Sequence, residues 1–459
     1  DSMQKALVKL ITLFTIPILS ACGGGGSDKA VNVDSSSDPT YTAGVFQDDS
    51  LFVNRCAAPR TGTDINGNPY PDRAGSIVYE NHWLRSWSND TYLWYNEIPD
   101  LNPANYNSPI DYFNLLKTSA LTPSGAAKDQ FHFTRDTAEY QQATQSGISI
   151  SYGIDWELTS STVPRDLFIR YIEPGSPADQ PAVNLRRGIR VLEIDGVSVE
   201  TGSSQAEVDI LNAGLFPSAA GETHNFLIQD VETNNLRTIT LAAAEVIQDP
   251  VPISDVYITN TGNVGYLLFN TFSSVVAEDR LVNVISQFAD SNVDDLIIDL
   301  RYNGGGFLYI SSQLGFMVAG TDLTAGKTFS SLRFNDKHPR INPVTGATIE
   351  PTPFYNTTSG NSEQYNSGVA LPELNLNRVF ILTTDGTCSA SEYLINGLRG
   401  IDVEVILIGT TTCGKPYGFY PTDNCGTSYF TIQFDGVNDK NEGGYADGFT
   451  PMNDPQGFG

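Results

Sequence analysis

Apolar positions change their period along the chain. Between residues 76 and 145 they recur at helical spacing and are rich in rings: Trp83, Trp87, Tyr92, Trp94 and Tyr95 crowd one stretch, and Tyr112, Phe113, Leu115 and Leu116 another. The pattern predicts a small helical unit with an aromatic core. From 147 to 244 strand-like runs dominate, at 148–152, 167–172, 189–194, 226–228 and 238–241, which predicts a β-rich unit. From 256 onward strands and helices alternate: strand 264–269, helix 275–288, strand 295–300, helix 307–317, strand 379–382, a helix opening at Ser389, and an apolar run at 403–408. Residues 336–372 read as loop. Such alternation predicts an α/β layered core. The expected organisation is a leader (1–22), a flexible tether (23–45), an N-terminal helical domain (46–145), a β-rich domain (146–245) and the α/β core (246–459).

The ends of the chain add an address. Lys5 and Lys9 precede an apolar run at 10–19 that is too short to cross a bilayer, and Leu19-Ser20-Ala21-Cys22 follows. This is an export signal, and its last four residues resemble a bacterial lipobox, which implies lipidation of Cys22 and a membrane anchor. A non-lipidated secretory signal is the alternative. Gly23 in place of Asp points to the outer membrane of a Gram-negative cell, periplasm-facing or on the surface. The Gly- and Ser-rich tether would reach roughly 25 Å. Residues 448–459 are loop-like with no closing helix, so a trimmed or truncated C-terminus is expected.

Composition narrows the partners. The chain carries 26 Lys plus Arg against 53 Asp plus Glu, a net charge of -27. That surface repels phosphate backbones, so nucleic acid is not an expected partner. His82, His132, His224 and His338 form no metal-binding spacing, no phosphate loop is present, and no cofactor is expected. Cys56, Cys388, Cys413 and Cys425 would meet an oxidising compartment, where four cysteines allow three pairings. Cys413 and Cys425 flank a hairpin and are the easiest to close, while Cys388 and Cys413 adjoin the candidate catalytic residues. The sequence leaves the choice open.

The chemistry concentrates between residues 383 and 419. A hydroxyl at a strand-to-helix turn, as at Ser389, is exposed with helix-end N–H groups behind it, a placement suited to attack on a carbonyl. Lys415 could serve as base if burial lowers its pKa by ~3 units from about 10.4; no acidic residue lies between 410 and 421 to oppose that. The plain alternative makes Ser389 an N-cap and Lys415 a surface charge. A rival nucleophile is Cys388 with His132 as base. Asn303-Gly304-Gly305-Gly306 offers consecutive unhindered N–H groups at another helix start.

Three phrases carry a family resemblance: Asp299-Leu-Arg-Tyr-Asn-Gly-Gly-Gly306, Ser389-Ala-Ser-Glu392, and Thr412-Cys-Gly-Lys415. The chain resembles the C-terminal processing peptidases (tail-specific proteases) over residues 76–450. That resemblance implies a Clp-protease/crotonase-like layered core with an N-terminal helical domain and a β-rich PDZ domain. The phrase Gly175-Ser-Pro-Ala178 followed by Arg187-Gly-Ile-Arg-Val-Leu-Glu-Ile-Asp-Gly196 is similar to a bacterial PDZ domain, and places Gly147, Ile148, Ser149 and Ile150 near its carboxylate-binding loop. It further implies a serine endopeptidase acting on polypeptide C-termini, with Ser389 as nucleophile and Lys415 as general base. The oxyanion would be held by the Ala390 N–H and one from Gly305 or Gly306. The family often carries a glutamine four residues after the lysine; here Phe419 stands there. A catalytically inactive PDZ scaffold of the cell envelope is the alternative that Phe419 favours. An acyl-group enzyme of the crotonase type shares the core, but no coenzyme-binding loop is present.

Overall fold

The computed structural model describes residues 38–451 apart from 161, 231 and 363. The leader, Cys22, most of the tether and residues 452–459, on which the expectation about the C-terminus rests, lie outside the described residues.

The α/β part is built on a five-stranded sheet in the order Ile253–Thr259, Gly262–Leu268, Asp295–Asp299, Arg378–Thr383 and Glu404–Gly409. The first pair is antiparallel and the rest are parallel. The parallel strands are apolar along most of their length, as strands covered on both faces must be. Helices Val276–Asp290, Leu308–Thr324 and Ala390–Gly400 supply the cover. Leu267, Leu296, Ile298, Ile381, Leu314, Leu394 and Leu398 form the centre of one buried cluster. The helix that opens at Leu308 runs past the expected end at 317 through Val318-Ala319, which are still buried, and breaks at Gly320 (φ 76°, ψ 177°) before a final turn ending at Thr324.

The β-rich part has a core of its own around Leu167, Ile169, Val191, Ile194, Phe226 and Ile228. Its sheet runs Leu236–Ala242, Thr223–Gln229, Arg190–Ile194, Leu167–Ile172, Ile154–Leu158, with every neighbouring pair antiparallel. A helix, Gln205–Leu215, opened by a Ser204/Glu207 capping box, lies within this strand-rich stretch. The strands that lead into and out of this part, Ile148–Ser151 and Ala244–Ile247, pair with each other as a separate two-stranded neck.

The aromatic core expected near the N-terminus is present: Trp83, Trp87, Tyr112 and Phe113 pack together. Tyr429 belongs to the same cluster, and strand Thr427–Phe430 pairs with Phe133–Asp136. A Cys56–Cys425 disulfide closes the same contact between the two ends of the chain. Sequence order hides this, because the partners lie about three hundred residues apart.

Candidate active site

Strand Arg378–Thr383 leaves the sheet at its C-terminal end, turns through residues 384–389, and enters helix Ala390–Gly400. The C-terminal edge of a parallel sheet is where α/β proteins gather ligand-binding groups. Ser389 sits at the corner with φ 55° and ψ -115°. A non-glycine residue there costs of order 1–3 kcal/mol and persists only when its surroundings impose it.

The surroundings are hydrogen bonds. The Cys388 N–H and the Ser391 hydroxyl both donate to the Asn303 carbonyl, at 3.1 and 3.0 Å. Thr387 Oγ1 donates to the Leu300 carbonyl at 2.8 Å, and Ser311 Oγ to the Ala390 carbonyl at 2.7 Å. Each bond ties the turn to the neighbouring strand end or its helix.

Asn303 is fully buried and organises the glycine loop, with its Nδ2 donating to the Phe269 carbonyl at 3.0 Å. Its Oδ1 accepts the Gly305 N–H at 2.9 Å. Of the two glycine N–H groups expected at the oxyanion position, that of Gly305 is therefore already engaged. Those of Gly306 and of Ala390, the first helical residue, have no acceptor among the described residues. Gly305 has φ +100°, and a Cβ on it would lie 2.7 Å from both the Cys388 carbonyl oxygen and Ser389 Cβ, and 2.9 Å from the Ala390 nitrogen. Glycine is required so that the loop can touch the serine turn.

The lysine loop is joined to the same turn twice. Cys388 and Cys413 form a disulfide. Glu392, one turn into the helix and with no exposed surface, accepts from the Ser389 N–H (3.0 Å), the Thr412 hydroxyl (2.6 Å), the Gly414 N–H (2.9 Å) and the Lys415 N–H (2.8 Å). Burial pushes its carboxyl above the ordinary range, and these donors pull it back. Cys388, Glu392 and Cys413 also bring three potential metal donors together, but the two sulfurs are bonded to each other and offer no thiolate.

Lys415 is 7 % exposed, and burial lowers its pKa to about 8, while Asp129 and Glu392 act in the opposite sense. It is neither a surface charge nor free of acidic neighbours: both come from distant sequence. No hydrogen bond from its Nζ to the protein is present among the described residues. Phe419, where the resemblance implied a glutamine, sets its ring centre 4.1 Å from Nζ, and Phe131 sets its own at 4.9 Å.

The other candidates fall elsewhere. Cys388 has no thiol. His132 is buried, with Nε2 2.8 Å from the Phe113 carbonyl and Nδ1 3.0 Å from Thr431 Oγ1, and burial pushes its pKa down to about 4. Gly147 ends helix Thr137–Ser146 in a left-handed conformation, and Ile148, Ser149 and Ile150 belong to the neck. In the sheet of the β-rich part Ile154–Leu158 is an edge strand, so strand addition to that sheet is available a few residues later than expected. Sequence reasoning gives Asn303, Asp129 and Phe131 no place at the site; the signals in view are the Asn in the Asp299–Gly306 phrase and the Asp129–His132 element, which also fits the family resemblance.

A parallel sheet ending in a strained serine turn against a glycine loop sets a hydroxyl beside unengaged backbone N–H groups, an arrangement suited to acyl transfer. The comparisons with known proteins point to one lineage: the chain matches the "Peptidase family S41" model over residues 263–422 and the "Peptidase S41 N-terminal domain" model over 79–131, and is similar to the C-terminal processing peptidases. It is 27% identical over 252 residues to a carboxyl-terminal-processing protease of Picosynechococcus sp., covering 53% of this chain and 49% of that protein. It is 24% identical over 285 residues to carboxyl-terminal-processing peptidase 3, chloroplastic, of Arabidopsis thaliana, covering 60% and 48%. The chain thus spans about half the length of these curated relatives. Among solved structures, a putative S41 protease from Bacteroides fragilis shares the fold with a TM-score of 0.58 at 24% identity, covering 83% of this chain and 91% of that one. The photosystem II D1 C-terminal processing protease gives 0.51 at 16%, covering 83% and 93%.

Proposed function

We propose that the chain is a serine endopeptidase of the cell envelope, lipid-anchored through Cys22, that cuts polypeptides near their C-termini. Ser389 is the nucleophile and Lys415 the general base. Neutral Lys415 takes the Ser389 Oγ proton as the oxygen attacks the carbonyl, and returns it to the leaving amine. The Ala390 and Gly306 N–H groups receive the oxyanion. Water then hydrolyses the acyl-enzyme with the same lysine as base. The β-rich part acts as a PDZ domain, adding the substrate's tail as a strand along Ile154–Leu158.

One observation carries this reading: the buried Glu392 carboxylate binds the backbone N–H of both Ser389 and Lys415, so a strained hydroxyl and a lysine of lowered pKa are fixed to one point. The test is cleavage of an unstructured peptide with an apolar C-terminus by the wild type and by Ser389→Ala. Wild type should cut and the variant should not. Equal cleavage, or none by either folded protein, removes the mechanism. The second reading, an inactive peptide-binding scaffold, is favoured by Phe419 alone and predicts the last of those outcomes together with retained peptide binding.

A further inference from the structure

Two aromatic rings lie against the tip of Lys415. The Phe419 and Phe131 ring centres, 4.1 and 4.9 Å from Nζ, lie within the ~6 Å over which an aromatic face attracts a cation. The rings come from separate parts of the molecule and each is fixed. Phe131 donates its N–H to Asp129 Oδ1 at 2.9 Å, and Asp129 Oδ2 accepts the Tyr92 hydroxyl at 2.7 Å. Phe419 stands edge-on to Phe133 and Phe430, with ring centres 6.0 and 5.3 Å away. The charged groups facing Lys415 are Asp129, from the turn that carries Phe131, and Glu392, from the helix that follows Ser389. Neither forms an ion pair with Nζ among the described residues.

We infer that Phe419 and Phe131 form an aromatic clamp that positions the Lys415 amine for proton exchange with Ser389, in place of the glutamine that the family resemblance implies at position 419. This rests on the Ser389–Lys415 reading above. A glutamine amide would engage the amine through a directional hydrogen bond. Two ring faces hold it without occupying its lone pair or an N–H, so that the amine stays free to turn toward the serine hydroxyl. The rings also exclude water from two sides, which keeps the neutral base accessible. After the proton has moved from Oγ to Nζ, the same faces stabilise the ammonium. One apolar device therefore serves both protonation states. Phe419 and Phe131 are positioning residues: they touch the base, and their effect on substrate passes through it.

The test follows kcat and KM for peptide cleavage from pH 6 to 10 in the wild type, Phe419→Ala, Phe419→Tyr and Phe131→Leu, with Ser389→Ala as blank. In Phe419→Ala, water should enter and the rising limb of kcat/KM should move alkaline by about one unit, toward an ordinary lysine. The kcat at pH 7.5 should fall about eightfold, with KM within about twofold and partial recovery at pH 10. Phe419→Tyr, which keeps the ring, should keep the limb. A Phe419→Ala protein whose limb stays in place, whatever uniform loss accompanies it, overturns the clamp. If circular dichroism shows Phe419→Ala unfolded, the limb of Phe131→Leu decides in the same way. Cleavage by Ser389→Ala at the wild-type rate removes the Ser–Lys reading itself, whereas an inactive Ser389→Ala with an unmoved Phe419→Ala limb removes only the clamp.

Discussion

The serine and lysine sides of the site are held by opposite kinds of interaction. Around Ser389 the constraints are directional: carbonyls of Leu300 and Asn303 accept from the turn, and Gly305 closes against it. Around the Lys415 amine they are apolar and non-directional, two rings and the exclusion of water. Hydrogen bonds can force a backbone into a conformation it resists, which a nucleophile's turn requires. Burial can lower the pKa of an amine, which a base requires. Glu392 reaches both sides, and the Cys388–Cys413 disulfide joins them a second time.

The comparison breaks most severely at Gly305. In Gly305→Ala the new Cβ would meet the Cys388 carbonyl, Ser389 Cβ and the Ala390 nitrogen at 2.7–2.9 Å, from a φ of +100°. The serine turn must shift, and with it the Ala390 N–H. The expected loss in kcat is roughly 10²–10³, the size seen when an oxyanion donor is removed. Because the lysine side is untouched, the pH limb of whatever activity remains should stay where it is. A peptide assay across pH checks both.

Glu392→Gln strikes the link between the sides. The amide keeps one acceptor oxygen for four donors and turns an NH2 toward some of them. Unfolding in urea should show a loss of about 2–4 kcal/mol, the scale of buried hydrogen-bond partners left unmatched. Removing the charge also removes one influence that raises the Lys415 pKa. The surviving activity should therefore have its rising limb displaced toward acid, opposite to the shift expected of Phe419→Ala.

The same contrast separates what the sequence disclosed from what it concealed. Ser389 and the glycine loop were legible because their requirements are local: a strand end, a small hydroxyl, a helix start, and glycines where a positive φ is needed. The strand–helix alternation was legible for the same reason. Lys415 was legible as a residue, but its environment was not. Asp129 and Phe131 approach it from nearly three hundred residues away, and no local pattern announces that. The absence of acidic residues between 410 and 421 suggested an amine without acidic neighbours, yet two carboxylates face it. Phe419 looked like a missing part because the comparison was with a polar residue; in space it packs on the amine. The pairing of Thr427–Phe430 with Phe133–Asp136 escaped for the same reason, being a contact between distant segments.

The Cys388–Cys413 disulfide spans 25 residues and duplicates the link made by Glu392. Chain entropy gives such a cross-link about 3 kcal/mol. Cys388→Ser with Cys413→Ser should lower stability by up to that amount and kcat by several-fold, with the pH limb unchanged, since neither ring is disturbed. A limb that moved with the disulfide would mean that the staple, and not the rings, sets the lysine's environment.

The finest separation is between the two stability costs carried by the sides, one conformational and one of solvation. In the folded protein Lys415 titrates at about 8 against an ordinary 10.5. The native state therefore binds fewer protons than the unfolded state between those values, and this group makes stability rise with pH across that window. Below pH 8 both states are protonated, and the full penalty, about 3 kcal/mol, is present. Lys415→Met keeps the volume and deletes the charge, so it should gain on the order of 1–3 kcal/mol at pH 7 and much less at pH 10.5. Ser389→Gly accepts the φ of 55° without strain but adds backbone freedom to the unfolded chain, so its gain should be smaller, about 1 kcal/mol, and the same at every pH. Urea unfolding of both variants at pH 7 and pH 10.5 distinguishes the costs. A pH-independent gain in Lys415→Met would mean that the amine is not desolvated in the folded state, and the rings around it would then have no role in tuning the base.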